Sequence, residues 1–260
     1  MFYWIYDYPN VIMGPLFAAG FVLTALIGQF VFRALLAKWV HTESHTNELV
    51  GISLASFSVL YGILLALLAV GAYTNYAAMD DLVSKEASCV ASLYRDASAF
   101  PEPYRAALQR DLKAYVRQTV DIGWPAQRQG AVPSVGSQVV TTLFNDLATF
   151  NPPDKRSEII FAETFRQFNN LVEFRRARLA GVNAGLPSIM WWVVGIGAVL
   201  NLILMWMMDM EVHVHVMLTT VLSLLLASVI FLVIAMDNPF RGEVSVGPEA
   251  FERVYQTLMQ

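Results

Sequence analysis

Four long apolar runs dominate the chain, at residues 11–36, 49–73, 187–208 and 214–236. Each reaches the ~20 residues that a helix needs to cross the hydrocarbon of a bilayer. The first follows the aromatic stretch Phe2-Tyr3-Trp4-Ile5-Tyr6, and the third opens with Trp191-Trp192. Both placements suit a membrane–water interface. The fourth closes on Asp237-Asn238-Pro239.

Between the second and third runs the pattern changes to apolar residues spaced by three and four, the period of amphipathic helices. A helix over 80–99 continues the second run until Pro101-Glu102-Pro103 ends it. A second helix, over 104–122, puts Leu108, Leu112, Tyr115 and Val116 on one face, and Gly123-Trp124-Pro125 is expected to break it. After a loop at 130–136 comes a helix over 138–150, stopped by Asn151-Pro152-Pro153. Asp154 then caps a long helix to about residue 180, with Gly181, Gly185 and Pro187 beyond it. There is no strand alternation of useful length and no internal repeat. The pattern therefore predicts an all-α integral membrane protein with four transmembrane helices and a helical cytoplasmic domain inserted between the second and third. The divisions are 1–76 (spans one and two), 77–186 (the insert), 187–236 (spans three and four) and 237–260 (a cytoplasmic C-terminal segment).

An even number of spans puts both termini and the insert on one side. The insert holds all of the 17 Lys and Arg residues except Arg33, Lys38, Arg241 and Arg253. Arg175, Arg176 and Arg178 lie near the third span, so the positive-inside rule places the insert in the cytoplasm. No Lys or Arg precedes the first run, which is longer than a signal-peptide core, so it reads as a span.

Composition agrees. The chain is 56% hydrophobic and 15% charged, against roughly 25% charged in soluble domains. The single cysteine, Cys89, excludes an internal disulfide and a paired-cysteine metal site. A net charge of −4 gives no reason to expect nucleic acid as a partner. No GxSxG, HExxH, P-loop or GxGxxG motif occurs, so no enzyme is expected. Proton-coupled transport usually needs an ionisable residue at mid-membrane, and the spans hold almost none.

Small residues recur along three spans: Gly20, Thr24 and Gly28; Gly51, Ala55, Ser58, Gly62 and Ala66; Thr219, Ser223 and Ala227. Such stripes let helices pack closely, or one of them lines a pore. The second span is the better pore candidate because Ser53, Ser56, Ser58 and Tyr61 give it the densest set of hydroxyls, which can replace part of an ion's hydration shell. Gly51, Ser53, Ser56, Ser58, Tyr61 and Gly62 are the predicted pore-lining residues. Glu48 at one end of this span, and Asp80, Asp81 and Glu86 beyond the other, would become carboxylate rings in a symmetric oligomer and attract cations. The alternative reading is a solvated helix end.

All four histidines fall on the side opposite the insert. His41, Glu43 and His45 lie in one connection; Asp209, Glu211, His213 and His215 lie in the other. Imidazole with carboxylate suits a divalent transition metal, and histidine titrates near neutral pH. The alternative is interfacial polar residues without a ligand. After the fourth span, Asp237, Pro239 and Phe240 should form a turn that redirects the C-terminal segment against the insert, with Phe240 as its anchor.

The whole arrangement resembles the bacterial bestrophin-like domain family. The resemblance rests on Asn47-Glu48 with Gly51, on Tyr61-Gly62, on Glu86-Ala87 with Leu93-Tyr94-Arg95, and on Tyr115 and Trp124-Pro125. It continues through Arg178-Leu179, Leu186-Pro187 with Trp191, and Asp237-Asn238-Pro239-Phe240-Arg241-Gly242. True bestrophins are oligomeric anion channels whose second span lines the pore, so the resemblance implies a channel in a bacterial inner membrane. This sequence departs from them in lacking an acidic run after the fourth span, like their calcium clasp, and a phenylalanine-rich neck, since only Phe57 stands in its second span. The expected function is a homo-oligomeric ion channel, a tetramer or pentamer in the lipid bilayer. It needs no cofactor and conducts cations, with K+ as the permeant ion. The alternatives are an anion channel and a non-conducting membrane scaffold or sensor.

Overall fold

The computed structural model describes residues 3–40, 46–133 and 135–260, and every element among them is helical. A short 3-10 turn, Tyr3–Asp7, precedes α1 (Asn10–Val40) and α2 (Thr46–Asp96). There follow α3 (Tyr104–Gln118), α4 (Trp124–Arg128), α5 (Val135–Ala148), α6 (Lys155–Gly181), α7 (Ser188–Trp206), α8 (Val212–Asp237) and α9 (Glu249–Leu258). Four of these, α1, α2, α7 and α8, are long and apolar enough to cross a membrane. Only 17% of the most apolar stretch of α2 is buried. So much bare apolar surface suits lipid or neighbouring subunits, not water.

The chain divides into two compact units. One comprises Met1–Thr74 with Gly185–Asp237; the other comprises Asn75–Ala184 with Asn238–Gln260. In the first unit α1 packs along α8 and against α7. A Cβ at Gly28 would run into the ring of Trp206. That indole donates to the Ala25 carbonyl at 2.8 Å and stacks on Phe32 at 5.1 Å. Gly28 is therefore small because an aromatic ring lies over it. Gly20 has no atom within 4 Å of its missing Cβ. Thr219, Ser223 and Ala227 are fully buried, so their stripe packs inside the unit.

The second unit has an ordinary apolar core, with Leu108, Leu112, Tyr115 and Val116 all buried on the face that their spacing predicts. Asp154 caps α6, its carboxylate accepting the Ser157 N–H at 2.8 Å. The expected break at Gly123-Trp124-Pro125 is not a break. A π-helical turn over Thr119–Gly123 widens the helix, and Pro125 falls in the first turn of α4, a position that tolerates proline. After Asp237 the chain turns, with the Val246 N–H donating to the Pro239 carbonyl at 2.7 Å and Gly242 taking a positive φ of 81°. The amphipathic α9, which the sequence reading does not anticipate, then buries Phe251.

Candidate functional site

The 51 residues of α2 form one uninterrupted helix, about 76 Å long at 1.5 Å per residue. One face is committed. Val50, Tyr61, Leu65, Leu68 and Ala72 are buried along its first half, and Val83, Glu86, Ala87, Val90 and Leu93 along its second. Among the described residues nothing covers the opposite face: Ile52, Ser56, Val59, Ile63, Val70 and Thr74 are exposed at helical spacing, and Asp81, Ser84 and Ser88 extend the line.

Of the predicted pore set, Ser56 lies on this line, but the set as a whole does not share it. Ser53, Ser56 and Gly62 are exposed, but Tyr61 is turned inward. Its hydroxyl donates to the Val194 carbonyl at 2.7 Å, and its ring fills the space that a Cβ at Gly197 would occupy. Ser58 accepts the Asn201 amide at 3.0 Å. Gly51 is half-buried, with the Met208 methyl 3.9 Å from the position of its missing Cβ. Tyr61 and Ser58 are thus corrected from pore lining to helix packing: a hydroxyl in an apolar bundle seeks a polar partner, and α7 supplies one.

The carboxylates also separate. Glu48, Asp80 and Asp81 are exposed, and Asp81 pairs with Lys85 at 2.5 Å. Glu86 is not part of any exposed ring. It is fully buried, held by Arg178 from Nε at 2.7 Å and Nη2 at 3.0 Å, and it accepts the Tyr115 hydroxyl. Arg178, 2% exposed, gives its remaining nitrogen to the Gln127 side-chain oxygen at 2.8 Å. Its guanidinium lies 5.2 Å from the centroid of Trp124 and 5.9 Å from that of Phe251. Phe240 and Phe251 both meet Trp124 edge-on at 5.9 Å. Burial alone would favour a neutral guanidine, but the Glu86 carboxylate outweighs it and holds the Arg178 pKa above its ordinary value. Burial, reinforced by the same carboxylate, pushes the Tyr115 hydroxyl far up, so it stays a donor.

Of the histidine reading, His41, Glu43 and His45 lie outside the described residues. The two connections are nonetheless joined beside them: Asn47 donates to the Asp209 carbonyl at 2.8 Å and accepts the Asp209 N–H at 2.9 Å. Asp209, Glu211 and His213 are exposed. His215 is corrected out of the cluster, being 1% exposed with Nε2 3.0 Å from the Met205 carbonyl at the end of α7, which also accepts the Met208 N–H at 3.2 Å. Among the described residues no three His, Cys, Asp or Glu side chains stand together as a metal site.

A family model for the Bestrophin-like domain matches residues 19–251. The chain belongs to the Bestrophin-like family. Its fold is shared by a bacterial bestrophin homologue from Klebsiella pneumoniae. One single-substitution variant of that homologue matches with a TM-score of 0.68 at 13% identity, over 96% of this chain and 100% of that one. The form solved by zinc phasing gives 0.67 at 14%, over 96% and 97%. A second variant gives 0.65 at 13%, over 94% and 97%. None of the curated proteins matches the sequence.

In this Bestrophin-like chain, residues that carry the resemblance meet in space: Glu86, Tyr115, Trp124, Arg178 and Phe240 make one buried node. Its signal in the sequence is a charge on each of two apolar stripes, Glu86 among Val83, Ala87 and Val90, and Arg178 between Leu171 and Val182. Charges at such positions are rarely buried unless paired. Gln127 carries no comparable signal.

Proposed function

We propose that this protein is a homo-oligomeric ion channel, a tetramer or pentamer, whose conduction path is lined by the exposed face of α2. The observation that carries the reading is that face itself, a continuous apolar and hydroxyl stripe that no described residue of the chain covers. In this reading α1, α2, α7 and α8 are the four spans, in a bacterial inner membrane. The 77–186 insert and both termini are cytoplasmic. Ile52, Val59, Ile63 and Val70 make a narrow apolar stretch, and Ser56 and Thr74 give it hydroxyls. Cations are the conducted species, with K+ as the permeant ion, because from Glu48 to Lys85 the exposed charges of α2 are three carboxylates against one ammonium.

Asymmetric KCl in planar bilayers tests this. The reversal potential should lie toward that of K+. Changing Asp80 and Asp81 together to Asn should reduce cation selectivity, and changing both to Lys should move it toward chloride. Unchanged reversal potentials in both variants, with normal assembly, would remove these carboxylates from the path. A second reading, a chloride channel, is favoured by the pairing of Asp81 with Lys85 and the loss of Glu86 to Arg178. It requires wild-type reversal near the chloride potential. Absence of current would favour the scaffold reading.

Orientation needs a reporter other than Cys89, which is buried. Ser98, exposed beyond the end of α2, replaces it as a cysteine in a Cys89→Ala background. A membrane-impermeant maleimide should modify that cysteine only after the cells are opened. Modification in intact cells would put the insert outside.

A further inference from the structure

A cavity of about 800 Å³ lies within the first unit, walled by α1, α7, α8 and the Tyr3–Asp7 turn. We propose that it is a binding site for the acyl chain of a membrane phospholipid. Its walls are nearly all hydrocarbon and aromatic, with Phe17 and Phe21 from α1, Val194 and Ala198 from α7, and Ile230 and Ile234 from α8. Its size is that of a small-molecule site. Its hydroxyls are those of Tyr6 and Ser188, and the indoles of Trp191 and Trp192 also line it. That distribution, apolar walls with aromatic and hydroxyl groups together, suits a chain entering from the headgroup boundary. The Tyr6 hydroxyl donates to the Ile234 carbonyl at 2.8 Å, so the N-terminal turn is strapped to α8 beside the cavity. Gly195 lines it without filling it, since nothing lies within 4 Å of where its Cβ would stand.

A lipid is preferred to a second copy because no lining residue belongs to α2, the helix that faces the oligomer axis in the channel reading; the choice of occupant rests on that reading. Occupancy would also reach α2, because Val194 both lines the cavity and accepts the Tyr61 hydroxyl. A chain pressed against Val194 bears on the contact that sets the rotation of α2.

The test uses the full chain reconstituted in phosphatidylglycerol–phosphatidylethanolamine vesicles, with a phosphatidylglycerol carrying a photoreactive diazirine in one acyl chain. Adducts should concentrate at 191–198 and 230–234. Gly195→Leu, which fills the cavity, should abolish them. Gly20→Leu, equally open but outside the lining, should leave them. Excess palmitoyl-lysophosphatidylglycerol should displace the cavity adducts in the wild type but not those at Leu224 and Leu225, which face outward. This arm holds even if Gly195→Leu does not assemble. Labelling that is even over all exposed apolar positions and resists the competitor means annular lipid only and overturns the proposal. So does a disulfide between copies through Ser188→Cys, in the Cys89→Ala background, with no cavity adducts. The binding result is read without any current, so its failure is distinguishable from failure of the channel.

Discussion

Arg178→Met is expected to lower the stability of the protein by about 3–5 kcal/mol, because it leaves the Glu86 carboxylate buried with no opposite charge. Against a typical total of about 5–15 kcal/mol, a loss of that size makes much of the purified protein unfold or aggregate. Glu86→Gln should be comparably harmful, since the guanidinium is then the stranded charge. The double variant Glu86→Met with Arg178→Met should recover most of the loss, as apolar replacement of a whole buried pair often does. Tyr115→Phe should cost less, roughly 1.5–3 kcal/mol, the value of a hydrogen bond to a charged group. Thermal unfolding in detergent followed by size-exclusion chromatography reads all four, and an Arg178→Met protein as stable as wild type would refute the account of the node. Tyr115 adds a pH arm. Its pKa is raised on folding, so its contribution is intact below the ordinary tyrosine value of 10.0 and is lost as pH rises beyond it. Tyr115→Phe should therefore soften the alkaline loss of stability.

The second large effect is at Phe240, which is wholly buried against Trp124. Phe240→Ala should cost about 3–5 kcal/mol, as truncation of a core phenylalanine does. It should also release the C-terminal segment. Limited trypsin digestion should then cut at Arg241 and Arg253 much sooner than in wild type, while Phe240→Leu shows a weaker form of both effects. If digestion proceeds as in wild type, the segment is held by Val246, Phe251 and Met259 without it.

What the sequence reveals divides by distance along the chain. Apolar runs, the Asp154 cap and the buried face of α3 are local patterns, and 3.6-residue periodicity makes them legible. Phe240 is legible because Pro239 forces a turn and an aromatic residue follows it. Glu86 is misread because its partner, Arg178, is 92 residues away, and an acidic residue beside Asp80 and Asp81 looks like one more surface charge. Tyr61 and Ser58 are misread for a related reason. Counting hydroxyls along α2 ignores their azimuth, and their acceptor and donor on α7 are over 130 residues distant. His215 is drawn inward by a carbonyl at a helix end, which no spacing rule announces. Gly123-Trp124-Pro125 reads as a stop because a π turn has no simple sequence mark.

The unbroken course of α2 constrains how the chain can change in length. In the second unit it carries Val83, Glu86, Val90 and Leu93 into the core on one helical phase, with no loop up to Asp96 to absorb an error. One residue inserted between Val83 and Glu86 would turn the helix after it by about 100° relative to Val83. Val83 and Glu86 would then no longer share the buried face, and either the core contact or the ion pair would have to yield. Seven residues, close to two full turns, restore the phase to within about 20°. Length changes in this half of α2 should therefore come by heptads or not at all, which thermal unfolding of chains carrying one or seven inserted residues there would show.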